Sequence, residues 1–164
     1  LLLETCPSEG RIIDMKITKF ALVTLLAVAL CACASGVLAK GPFFTVVVPE
    51  RFPIENSPQR LAFQGPECRV QIKWWPDGMA WRESVEASEM EGDEIISTWQ
   101  ETVDGKTMEF TDAKNGQREK IYFKLQIDGG FIMGFGTVIT SKEPILEAAR
   151  SLKVTNEKYF QENN

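Results

Sequence analysis

Asp104-Gly105, Asn115-Gly116 and Asp128-Gly129-Gly130 sit a strand's length apart in the second half of the chain, and each closes a run of alternating polar and apolar residues. Asp-Gly and Asn-Gly tolerate the left-handed backbone that two-residue turns between antiparallel strands require. Three such signals in succession leave little room for anything but an antiparallel meander. Strands are predicted over 95–103, 106–112, 117–127 and 131–139, with earlier ones over 43–48 and 60–64.

The alternation also assigns faces. In the segment CRVQIKWW, Cys68, Val70, Ile72 and Trp74 share one side, while Arg69, Gln71, Lys73 and Trp75 share the other. That is a half-buried strand, apolar inward and polar outward. The segment REKIYFKLQI repeats it, with Ile121, Phe123, Leu125 and Ile127 inward and Tyr122, Lys124 and Gln126 outward. In FIMGFGTVI, Phe131, Met133 and Phe135 point one way; Gly134 and Gly136 point the other, beside Ile132 and Val138. Two glycines on one face make a flat spot, either a ligand slot or a seat for another element. The second reading is preferred, with the small Ala148 and Ala149 of a following helix filling it. That helix is expected to start at Thr140, a capping box with Glu143, and to carry the stripe Ile145, Ala148, Ala149 and Leu152. A shorter middle helix is expected in MAWRESVEASEMEG, from Trp81, Val85 and Ser88. The fold class is therefore α+β: an antiparallel meander with a C-terminal helix and a shorter middle helix packed on it.

At 164 residues the chain has room for one domain with a single core. Its net charge of −5 comes with scattered Lys and Arg, so no basic stripe marks a nucleic-acid partner. There is no histidine, which excludes Ser-His-Asp and Cys-His catalysis and any His-ligated zinc. Cys68, on the apolar face of its strand, reads as a small buried hydrophobe rather than a reactive thiol. The acidic run Glu83, Glu86, Glu89, Glu91, Asp93 and Glu94 lacks the loop pattern of a calcium site and reads as a solvated face. No metal, cofactor or catalytic residue is assigned.

From Met15, two lysines precede an apolar run and the small residues of LCACASG. This is the layout of a secretory signal. The segment Leu30-Cys31-Ala32-Cys33 resembles the bacterial lipoprotein signal, with small Ala32 directly before Cys33. The resemblance implies cleavage before Cys33, lipidation of its sulfur and membrane anchoring through it. Ala34 after Cys33 implies sorting to the outer membrane, on the side facing the periplasm. Two alternatives stay open: ordinary cleavage after Ala34 or Gly36, giving a secreted domain, and an uncleaved anchor over 20–39. The expected organisation is thus upstream translated sequence over 1–14, signal over 15–32, lipidated Cys33 and tether over 33–41, the domain over 42–155, and a polar, frayed tail over 156–164.

Val47-Val48-Pro49 through Ile54, Val103-Asp104-Gly105-Lys106 and the closing segment from Glu143 to Val154 resemble the PsbP-like fold. The resemblance implies an antiparallel sheet with helices on it, in a family that includes small bacterial lipoproteins and acts mainly through binding and assembly. It carries no functional residues across. The segment KWWPDGMAW supplies the candidate partner-binding side chains Trp75, Lys73 and Trp81, since an exposed Trp is a common interface anchor. The expected function is a non-enzymatic, envelope-anchored lipoprotein that binds or helps assemble an envelope protein or small-molecule partner. A carboxylate-dependent enzyme acting on envelope polymers is the alternative.

Overall fold

In a computed structural model, described for residues 36–77 and 90–163, the turn dipeptides close the expected hairpins. Strands β6 (Glu94–Val103), β7 (Lys106–Asn115), β8 (Arg118–Ile127) and β9 (Gly130–Val138) form the meander. Asp104 and Gly105 both take positive φ, 50° and 74°, as a two-residue turn of this kind demands. The second turn is centred one residue later than the dipeptide: Asn115 still pairs with Arg118, leaving Gly116 (φ 62°) and Gln117 as the loop. Strands β3 (Ile54–Ser57), β4 (Arg60–Gln64) and β5 (Cys68–Pro76) complete a seven-stranded antiparallel sheet in the order β3-β4-β5-β9-β8-β7-β6.

A second sheet has three strands: β1 (Gly36–Lys40), β2 (Phe44–Pro49) and β10 (Lys153–Val154), in the order β1-β2-β10. The segment expected to be a tether therefore contributes a strand: Val37 and Ala39 pair with Val48 and Val46, and Ala39 is buried in the core there. Helix α1 (Glu143–Arg150) packs against β2 and β5. The main core lies between one face of the large sheet and a layer made of α1 and the small sheet; Phe44, Val46, Leu61, Ile72, Phe123 and Ile145 are among its buried members. The tail is not frayed throughout. A short helix α2 (Tyr159–Glu162) returns to this core, where Phe160 is buried and Tyr159 stacks on Phe43 at 4.4 Å.

Thr140 does not cap α1. The N-cap is Lys142, and Ser141 Oγ accepts from the Glu143 N–H at 3.2 Å. The cause is Pro144. Starting at Thr140 would place Pro144 where the first N–H of the helical ladder is needed. Starting at Lys142 places it among the N–H groups that have no helical partner. The N–H groups of Ile139, Thr140 and Ser141 instead converge on the Glu67 carbonyl. The stripe is as expected: Ile145, Ala148, Ala149 and Leu152 are all buried. At the other end, Ser151 Oγ donates to the Ala148 carbonyl and accepts from Val47 N–H, both at 2.8 Å, tying the helix to β2.

The ligand-slot reading of the two glycines is overturned; the terminal helix does seat on this face, at Gly136, but through Ile145 rather than through Ala148 and Ala149. Gly134 lies directly across from Phe123, whose ring covers it. Above Gly136 stands Ile145 of α1, with its Cγ2 only 2.6 Å from where a Cβ would project. The glycines accommodate side chains that are large, not small.

Arg150, in the last turn of α1, forks onto Glu101 of β6 with Nε and Nη2 at 2.8 and 2.9 Å, and Trp99 Nε1 adds a third bond at 2.9 Å. These bonds, the guanidinium's first, pull the Glu101 pKa down from 4.5 to about 2. Because the pair is partly exposed, Glu101→Gln is expected to cost only about 1 kcal/mol at neutral pH after solvent screening. Since the folded pKa is depressed, this contribution is present above the unfolded value and is lost as pH falls from about 4.5 towards 2. Urea unfolding of the variant beside wild type at pH 7 and pH 3 checks it; the difference between the two proteins should shrink at the lower pH.

Candidate functional site on the outer sheet face

The face of the large sheet turned away from the main core carries a second, smaller aromatic cluster. Ala113, Tyr122, Phe131 and Met133 are buried in it, with Trp75, Met90 and Phe135 partly buried against them. Tyr122, expected to point into solvent, is 3% exposed. It does point to the outer face, but that face is itself partly covered. Trp75 is half-buried, stacked on Phe131 at 5.2 Å and edge-on to Phe135 at 6.3 Å. Lys73 Nζ lies 5.1 Å above the Phe135 ring, a cation–π contact. The structure thus brings Lys73 and Trp75 together around Phe135. Trp81, the third residue of the proposed set, lies outside the described residues, as do Cys33 and the expected middle helix up to residue 89.

One end of the face is fixed by Asp93. Its carboxylate is fully enclosed and accepts from Lys120 Nζ at 2.8 and 3.0 Å, from Asn115 Nδ2 at 2.8 Å and from the Tyr122 hydroxyl. Burial works to raise its pKa, but the three donors and the Lys120 charge outweigh it and hold the group below its ordinary value. Asp93 is therefore no part of a solvated acidic face. Cys68, on the opposite face, is buried, and burial followed by the Glu67 charge pushes its thiol up to about 11, so it stays protonated.

Between β3 and β8 the outer face is hollowed. A depression of about 670 Å³ at the β3–β4–β5 end is lined by Arg51, Arg60, Arg69, Glu55, Gln64 and Gln71, with Pro53, Ala62 and Pro66 supplying apolar wall. A second, of about 490 Å³, continues past Arg60 to Lys73 and Trp75. A third, of about 140 Å³, lies among Arg69, Lys120, Tyr122 and Phe135. Register explains the grouping: Arg60 faces Lys73 and Gln64 faces Arg69 across β4–β5, while Gln71 faces Phe135 across β5–β9. Sequence alternation already placed Arg69, Gln71, Lys73 and Trp75 on this side. It gave no pairing partners, so nothing in the sequence groups Arg60, Phe135 and Lys120 with them. Within this region Arg60 meets Glu55 at 3.4 Å and Arg51 pairs with Glu67, whereas Arg69 donates to the neutral Gln64 amide at 2.8 Å. Arg69, held by a neutral amide, lines the same small hollow as Phe135, so the region sets a guanidinium beside an aromatic ring, a surface suited to an anionic group with an apolar attachment. Among the described residues no group of three or more Cys, Asp or Glu side chains is placed to hold a metal ion.

The architecture is a PsbP-like α+β fold: antiparallel sheets carrying short helices. The solution structure of cyanobacterial PsbP (CyanoP) from Synechocystis sp. PCC 6803 matches it with a TM-score of 0.53 at 11% identity, covering 74% of this chain and 93% of that one. A Pseudomonas aeruginosa protein of unknown function, PA94, described as a putative regulator, aligns with a TM-score of 0.38 at 15% identity over 71% of this chain and 94% of its own. No protein-family model matches the sequence, and no curated protein matches it.

Proposed function

We propose that the chain is a non-enzymatic lipoprotein of the cell envelope, anchored through Cys33 at the periplasmic side of the outer membrane, whose domain binds an envelope partner with the outer face of the large sheet. The observation that carries the binding half is the ledge of Lys73, Phe135 and Trp75 continuous with the arginine-lined hollow. In a chain of net charge −5, this concentration of cations beside aromatic rings favours a partner presenting carboxylates or phosphates next to apolar groups. The signal-like segment supports the anchoring half, and the resemblance to a family of binding and assembly subunits agrees with both. A hydrolase of envelope polymers would need two facing carboxylates. The 670 Å³ hollow presents Glu55, which Arg60 engages, and this weighs towards binding.

The test is photocrosslinking in intact envelopes from a probe at Gln71. A discrete adduct is expected, reduced severalfold by Arg60→Glu/Arg69→Glu and by Trp75→Ala, and unchanged by Arg118→Glu at the β7–β8 turn. No adduct, or an adduct indifferent to all these changes, would remove this face from the account.

A further inference from the structure

We propose that the outer face of the small sheet lies on the lipid surface that carries the anchor, with Leu38 and Val47 entering the interface and Lys40 and Lys153 at the head groups. This rests on the anchoring of Cys33 and adds to it an orientation for the domain.

The first reason is chain length. Strand β1 begins at Gly36, three residues after Cys33 in sequence. At no more than about 3.6 Å per residue, the start of the strand is held within about 11 Å of the anchoring residue. So short a connection, entering a hydrogen-bonded strand at once, leaves the domain no slack to stand off the membrane.

The second reason is what this sheet presents. Leu38 and Val47 are directly opposite one another on β1 and β2, and they are 54% and 40% exposed. The other face of the same strands is spent on the core through Ala39, Val46 and Val48. Lys40 and Lys153 flank Thr45 from either side, one on β1 and one on β10, and both are exposed. The result is an apolar pair with a cationic row beside it, the pattern of interfacial membrane segments. Each lysine close to an anionic leaflet favours association about fivefold. Two apolar side chains fall far short of the roughly 800 Å² per partner that a stable protein interface buries, so a second copy is a poor occupant.

The test uses the acylated mature protein in vesicles of phosphatidylethanolamine and phosphatidylglycerol, with acylation of Cys33 first verified by intact mass. An environment-sensitive fluorophore is placed at Leu38→Cys, at Lys153→Cys as a second reporter, and at Gln117→Cys on the distant β7–β8 turn. Cys68 is buried and stays unlabelled. Blue-shifted emission at 38 and 153, quenched by brominated lipid chains, with water-like emission at 117, is the expected result. In acylated protein, quenching at 38 and 153 no greater than at 117 overturns the orientation and leaves the anchor intact. A blue shift without lipid quenching also overturns it, since protein then covers the face. A mature chain without acyl groups overturns the anchor and the orientation together.

Discussion

Replacing Gly134 by alanine is expected to destabilise the domain by about 3 kcal/mol, at the upper end of what one added methyl group costs in a packed core. A Cβ at this position would project into the Phe123 ring, which lies across the β8–β9 pair and is 1% exposed. The ring cannot swing away, because Phe110 packs against it from β7 at 6.4 Å. Covering a strand glycine with a cross-strand aromatic ring recovers packing that the missing side chain forfeits. The pair should therefore behave as one unit. Gly134→Ala combined with Phe123→Leu is expected to be less destabilised than the sum of the single changes by at least about 1 kcal/mol. Urea unfolding of the four proteins measures this; strictly additive losses would mean that the ring and the glycine are not coupled.

Asp93→Asn is expected to cost about 2–4 kcal/mol at neutral pH. The substitution leaves Lys120 without its counter-charge and replaces one acceptor oxygen by a donor facing other donors. The acid dependence has a definite sign. Because the folded pKa of Asp93 is depressed, its contribution is complete above the unfolded value and fades as pH falls through the folded one. Wild type should lose stability steeply below about pH 4, the region of an unperturbed aspartate, and Asp93→Asn should show a shallower acid limb. A variant unfolding in parallel with wild type from pH 7 to pH 3 would show that Asp93 carries no such charge linkage.

The hairpins were legible because turn chemistry is local: Asp104-Gly105 needs nothing beyond itself to reverse the chain. The inward faces of β5 and β8 were legible for a similar reason, since period-2 alternation needs only a strand. Errors arose wherever the deciding partner was distant in sequence. Tyr122 lies on the outer face as alternation says, but nothing local shows that it is covered there, with Asp93, twenty-nine positions away, accepting a hydrogen bond from its hydroxyl. Asp93 itself is indistinguishable from its acidic neighbours until Lys120 and Asn115 close over it. Gly36–Lys40 continues an apolar stretch, so nothing local marks it as a strand; its pairing with Thr45–Pro49 does. Phe160 sits in a polar tail and is placed by the core ring Phe43, 5.2 Å away. The candidate site follows the same rule. Trp75 and Lys73 were readable from alternation, whereas the hollow that gives them a context is made by register between β4, β5 and β9.

The most direct measurement is intact mass spectrometry of the protein extracted from native membranes, wild type beside Cys33→Ala. The account predicts a mature chain beginning at Cys33 with diacylglycerol and acyl mass, absent from the variant. An unlipidated chain beginning near Ser35 or Val37, or a chain retaining Met15, would contradict it.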